Sequence, residues 1–133
     1  MSKSYNNSIL LAEEEKSLKK KVNSMVTDPA RSLRENPGNP LICTVYAYHK
    51  LFSSEEDQKW VVEGCTTAGI GCGDCKVRLC GNIEQLIKIP REKKKELLNN
   101  TKQLDSIIAS GCEKARTEAG KNLKIIKDYM KLR

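Results

Sequence analysis

One histidine, His49, is present in the 133 residues, and no Ser/His/Asp set, paired-carboxylate arrangement or dinucleotide-type glycine loop accompanies it. Self-contained acid–base or nucleophilic catalysis therefore has no visible constellation to rest on. Strand-like alternation is absent beyond Ile9–Leu11, so no βαβ pattern is available to build a nucleotide-binding sheet. No stretch approaches the roughly 18 consecutive apolar residues that a membrane span needs, and the N-terminus lacks the apolar core of a signal peptide. The chain thus reads as soluble, intracellular and cytoplasmic, with no membrane partner. Its length fits one domain and leaves no room for separate catalytic and recognition domains of roughly 100 residues or more each.

What is abundant is positive charge. The sequence carries 24 Lys and Arg against 17 Asp and Glu, a formal net charge of +7. Such an excess favours anionic partners, nucleic acid first among them, because each neutralised phosphate releases counterions. The competing explanation is a solvated, lysine-rich helical surface. The bases fall in clusters: Lys19–Lys21 with Arg31 and Arg34, then Lys93–Lys95, then Lys114, Arg116, Lys121 and Lys124. A hydrophobic fraction of 38% is enough for a modest core.

The periodicity predicts helices throughout. From Ala12, Glu13–Glu15 lead into Lys16 and Lys19–Lys21 with Leu18, Val22 and Met25 on one face, an acid-first, base-last order that suits the helix macrodipole. Thr27-Asp28-Pro29 is expected to end it, and Asn36-Pro37-Gly38-Asn39-Pro40 to form a loop that carries Arg31 and Arg34. Asn39 and Pro40 start the next helix, with Leu41, Val45, Tyr48 and Phe52 inward. Ser53 with Glu56 reads as a capping box for a helix through Trp60 to Gly64. A Gly- and Thr-rich loop over residues 66–73 follows. Asp74 is the candidate N-cap of a helix ending at Pro90, after which residues 91–100 form a lysine-rich helix with Leu97 and Leu98 inward. Leu104, Ile107 and Ile108 mark a short helix that ends near Gly111. Ala115, Ala119, Ile126 and Met130 are the stripe of the last helix. The fold class is all-α, a helical bundle behind an N-terminal loop segment.

Six cysteines in an intracellular chain do not read as a disulfide framework. Four have the spacing Cys43-x21-Cys65-x6-Cys72-x2-Cys75. A CxxC pair can grip a metal centre from one turn, and thiolates select zinc or iron–sulfur over harder cations. A helix hairpin would bring all four together, with Lys76 and Arg78 near enough to offset the surplus negative charge of four thiolates. Four independent core cysteines remain the alternative. Cys80 and Cys112 fit no ligand spacing and are read as small buried hydrophobes, and Trp60 as a core anchor. At the N-terminus, Met1-Ser2-Lys3-Ser4 sets one cation between two hydroxyls, a loop able to close on phosphate or else a tail without a role.

In series, these pieces resemble the C-terminal part of the tryptophanyl-tRNA synthetases, a family of class I aminoacyl-tRNA synthetases. Met1-Ser2-Lys3-Ser4 is similar to the last four residues of the KMSKS signature, with Asn7, Thr27-Asp28-Pro29 and Asn39-Pro40 following in order. The stretch Gly69–Lys76, the Pro90-Arg91-Glu92 helix start and Gly111–Arg116 with Lys121 and Met130 resemble later family segments, so the likeness covers essentially the whole chain. It implies a bundle of the anticodon-binding type over residues 12–133, behind an ATP-loop remnant at 1–11. It also implies a homodimeric enzyme that activates tryptophan with ATP and magnesium and charges the cognate tRNA. In the family that loop closes over ATP. Lys3 would meet the pyrophosphate as negative charge grows on it, a catalytic role, with Ser2 and Ser4 assisting as ATP-binding hydroxyls. Some members hold a [4Fe–4S] cluster through four cysteines ending in CxxC, which makes Cys43, Cys65, Cys72 and Cys75 candidate iron–sulfur ligands, with zinc as the alternative.

Two departures bear on activity. The first lysine of the signature is missing, and nothing resembles the HIGH motif, since His49 is followed by Lys50 and Leu51. Alone, the chain is therefore expected not to form tryptophanyl-adenylate. A free-standing metal-cluster or RNA-binding module without catalytic activity is the competing reading.

Overall fold

The computed structural model describes Tyr5 and residues 7–132. It divides into two units, Met1–Glu92 and Lys93–Arg133. Among the described residues every regular element is helical.

In the first unit, helix α1 (Glu15–Asn23) has Glu15 in its first turn and Lys20 and Lys21 in its last, the charge order that the macrodipole favours. Leu18 and Val22, four residues apart, are fully buried on its inner face. The helix stops before the Thr27-Asp28-Pro29 segment expected to end it, because the Ser24 hydroxyl donates to Lys21 O (2.8 Å) and its N–H caps Lys20 O. Asp28 is committed elsewhere. Its buried carboxylate accepts from Ala30 N (2.8 Å) and Asn39 N (2.7 Å), closing the loop between them.

Asn39 accepts from Leu41 N (3.0 Å) and Pro40 stands first in a short 3-10 turn, Pro40–Ile42. The expected single helix is thus divided: Cys43, extended at ψ 121°, separates this turn from helix α2 (Thr44–Phe52). Helix α3 (Glu55–Thr66) is capped by Ser54, which accepts from Asp57 N, one residue beyond the predicted Ser53/Glu56 box. Ser53 is engaged by His49 instead.

Helix α4 (Cys72–Asn99) begins earlier than predicted and runs through Pro90 without ending. A proline inside a helix forfeits one backbone bond and crowds the preceding turn, at a cost of roughly 3 kcal/mol. Arg91 holds the turn in place. Its guanidinium grips Glu84 through two bonds (2.5 and 2.8 Å), and its Nε donates to Glu13 O at 2.7 Å. Sequence periodicity misses this because the partners lie seven and 78 residues away. Around α4, Leu79, Ile83 and Ile87 close the core with Leu18, Val22, Val45 and Val61.

The second unit contains helix α5 (Thr101–Tyr129), capped by Asn100, which accepts from Gln103 N (3.2 Å). It is one helix where two were expected, passing through Gly111 and Gly120, and none of its residues is buried. Cys112 is accordingly exposed, against the expectation of a buried thiol, whereas Cys80 is buried as expected. Leu98 is exposed and Leu97 half-buried.

Glu13 ties the segment before α1 to the helix. Its carboxylate accepts from Leu10 N (3.0 Å), the Ser17 hydroxyl (2.6 Å) and Lys21 Nζ (2.7 Å). Burial alone would raise its pKa, but the bonds from Lys21, Ser17 and Leu10 outweigh it and hold the carboxyl at about 2, below its ordinary 4.5. A carboxyl so lowered stabilises the fold fully above about pH 4.5 and loses that contribution as pH falls through about 2. Urea unfolding is expected to show stability falling across that window, with a smaller slope in Glu13→Gln. Equal slopes would contradict this role.

Candidate metal centre

The four spaced cysteines line one pocket from separate elements. Cys43 stands at the junction before α2, Cys65 in the last turn of α3, and Cys72 and Cys75 three residues apart on one face of the first turn of α4. The chain returns from Cys65 to Cys72 through Ala68, whose left-handed backbone (φ 59°) ends α3, and Ile70 N donates back to Gly64 O. The pocket is small, with a cavity volume of about 20 Å³, and is walled by Val45, Val61, Pro40 and Ile70.

Cys75 is buried and the other three thiols are half-buried. Burial pushes Cys75 up to about 12; Cys43, Cys65 and Cys72 add to the rise and Arg31 opposes it. Cys65 is raised by burial too, against Arg31. Burial thus disfavours the charged form of Cys65 and Cys75, and the neighbouring sulfurs add to that effect.

That cation-rich role falls locally to Arg31, which sequence reading placed only among the basic loop residues. Its Nη2 is fixed by Arg34 O and Ile70 O, both at 2.7 Å, and Nη1 lies 3.9 Å from Cys65 Sγ and 4.0 Å from Cys72 Sγ. Its Nε is buried without a partner. Lys76 and Arg78, expected to offset the thiolates, are engaged elsewhere. Lys76 Nζ donates to Asn23 O (2.7 Å), while Arg78 pairs with Asp57 (3.2 Å) and lies 4.9 Å over the Trp60 ring. Trp60 is half-buried against the core. Arg31 could not be singled out because its contacts lie 34 to 41 residues away, across a loop with no periodicity.

His49 is the second group that sequence reading missed. It is wholly buried, with Nδ1 2.7 Å from Ser53 Oγ and Nε2 3.2 Å from Cys75 O and 3.4 Å from Cys75 Sγ. Burial lowers its pKa, opposed by the contact with Cys75 O and by Asp57.

The donor set suits a thiolate-held centre: four sulfurs, an arginine with spare donor capacity and apolar walls. Among the described residues, no three or more His, Cys, Asp or Glu side chains stand in the arrangement of a metal-ion site. A single tetrahedral zinc would need the sulfurs drawn in to about 2.3 Å from one point. Beside the pocket lies an open groove that shares Arg31, Gly71 and Cys72 with it and adds Arg34 and Asp74, which pair at 3.4 Å. Of the basic clusters, Lys19, Lys93, Arg116 and Lys121 pair with neighbouring acids, and Lys20, Lys94, Lys114 and Lys124 are exposed. Ser2, Lys3 and Ser4 lie outside the described residues.

Comparison with known proteins places the chain in a class. Residues 1–88 match the model for tRNA synthetases class I (W and Y), and the chain belongs to that family. Within it the similarity is to tryptophan–tRNA ligases. The chain is 44% identical to that of Thermotoga maritima over 99% of its own length and 40% of the relative's, and 34% identical to that of Aquifex aeolicus, covering 34% of it. The chain thus spans about two-fifths or less of these relatives and corresponds to their C-terminal part. The crystal structure of tryptophanyl-tRNA synthetase from Campylobacter jejuni superposes with a TM-score of 0.85 at 35% identity, over 99% of this chain and 42% of that one. That enzyme has also been solved complexed with ADP and tryptophan.

Gly38 makes the pocket sensitive to one methyl group. Its N–H donates to Cys65 O (2.9 Å), and an added Cβ would lie 2.7 Å from Cys65 Sγ and 3.1 Å from Arg31 Cδ. Gly38→Ala is expected to destabilise by about 1–3 kcal/mol in urea unfolding. Gly81→Ala, where a Cβ meets nothing within 4 Å in mid-helix, should stabilise by about 0.5–1 kcal/mol. Equal effects at both sites would contradict the packing described.

Proposed function

We propose that this chain is the tRNA-binding C-terminal portion of a cytoplasmic tryptophan–tRNA ligase. The observation that carries the reading is end-to-end similarity to tryptophan–tRNA ligases in both sequence and fold. The full enzyme, a homodimer, activates tryptophan with ATP and magnesium and transfers it to its tRNA. Residues 1–11 belong to the loop that closes on ATP. Lys3 supplies a point charge to the pyrophosphate and Ser2 and Ser4 donate hydrogen bonds to it, stabilising charge that grows on the leaving group. Residues 12–133 form the helical part that receives the anticodon region.

Cys43, Cys65, Cys72 and Cys75 hold a [4Fe–4S] cluster in this reading. The support for this is that the four thiols line one pocket, and thiolate ligands suit iron–sulfur centres, with zinc as the alternative. When bound, the cluster would supply a compact anionic centre that ties helices α3 and α4 to the junction before α2. Arg31 offsets its charge. The same side chain lines the outer groove, so Arg31 and Arg34 present positive charge to a phosphate backbone beside the cluster.

Filter binding of the purified chain to tryptophan tRNA tests the RNA half of this reading. Affinity is expected to fall at least about tenfold between 50 and 200 mM salt, as several phosphate contacts require. Arg34→Ala should reduce the slope of log affinity against log salt by about one phosphate contact. Affinity that ignores ionic strength, or that is equal for unrelated tRNAs, would contradict it.

A further inference from the structure

His49 sits at the end of a hydrogen-bond chain whose direction is set from outside. Asp57, paired with Arg78, can only accept, so the nitrogen of the Asn82 amide must face it (2.7 Å). The second hydrogen on the same nitrogen is given to Ser53 Oγ at 2.8 Å. At the other end of the ring, Cys75 O lies 3.2 Å from Nε2 and can only accept, so the Ser53 hydroxyl, 2.7 Å from Nδ1, is the donor there. Nδ1 is therefore the acceptor, and Nε2 carries the proton of the neutral ring. That N–H faces Cys75, 3.2 Å from its carbonyl oxygen and 3.4 Å from its sulfur. Arg31 attends Cys65 and Cys72, so the donor to Cys75 comes from His49.

The geometry points to His49 as the positioning residue that donates a hydrogen bond from Nε2 to the Cys75 ligand of the cluster, its tautomer fixed by the Ser53–Asn82–Asp57 relay. The role rests on the cluster reading above. A donor to a ligating sulfur draws electron density from it, and so favours the reduced form of the cluster. A histidine that merely fills the core would not move the potential when replaced by another well-packed side chain.

The test uses the whole chain, loaded anaerobically with iron and sulfide, and reads iron content first and midpoint potential second. His49→Leu, with wild-type iron content, is expected to shift the reduction equilibrium at least about tenfold toward the oxidised form, which is about 59 mV for one electron. His49→Gln, which keeps an amide donor, should stay within about threefold of the wild type. Ser53→Ala leaves the imidazole in place but releases its tautomer, and should shift in the same direction as His49→Leu. It decides the matter if His49→Leu does not fold. Iron-loaded variants with unchanged potentials would overturn the role of His49 and leave the cluster intact. A wild-type chain that takes up no iron would overturn the cluster reading, and this role with it.

Discussion

The thiol pocket depends on a loop held shut by one buried carboxylate. Asp28 accepts from the backbone at both ends of the segment, Ala30 N and Asn39 N. Closing that span places Arg31 where its guanidinium meets the thiols, and sets Gly38 against Cys65, whose carbonyl accepts the Gly38 N–H. It also delivers Asn39 and Pro40 to start the turn that leads into Cys43. Three of the four thiols therefore take their immediate surroundings from a loop without regular structure. Loss of a buried, doubly bonded carboxylate of this kind leaves its donors unpaired, at a cost of about 1–3 kcal/mol for each such group.

Electrostatics explains why the pocket is built around an arginine. Four thiolates crowded in an apolar pocket would repel one another, and burial disfavours each charge, as the rise of Cys75 to about 12 reflects. In the cluster reading, a metal core would relieve most of the repulsion. The remaining negative charge needs a cation that cannot be deprotonated and that carries several donors in fixed directions, which describes a guanidinium better than an ammonium. Arg31 meets this need with Nη2 tied to two carbonyl oxygens and Nη1 toward the sulfurs. His49 stands on the Cys75 side, with Nε2 3.4 Å from its sulfur.

Much of this was legible from the residues. The Leu18–Val22 face, the Asn39-Pro40 start and the convergence of Cys43, Cys65, Cys72 and Cys75 follow from periodicity, capping chemistry and spacing. The departures come from side-chain partners and burial that periodicity does not display, several of them between residues distant in sequence. Pro90 reads as a helix stop until Arg91 is seen gripping Glu84 and Glu13. Ser53 reads as a cap until His49 claims its hydroxyl, leaving Ser54 to cap α3. Lys76 and Arg78 are near Cys75 in sequence, but on a helix they point to Asn23 and Asp57, while Arg31 arrives from a loop. Cys112 is exposed because α5 buries no residue, which its apolar stripe did not foretell.

The central claim is that the four gathered cysteines hold an iron–sulfur cluster within a tRNA-binding helical unit. Iron, zinc and acid-labile sulfide analysis of the chain purified without oxygen tests it most directly. The account predicts about four irons and four sulfides per chain, as a [4Fe–4S] centre requires, and loss of both when Cys72 and Cys75 are replaced by serine. One zinc per chain without sulfide, or no metal at all, would contradict it.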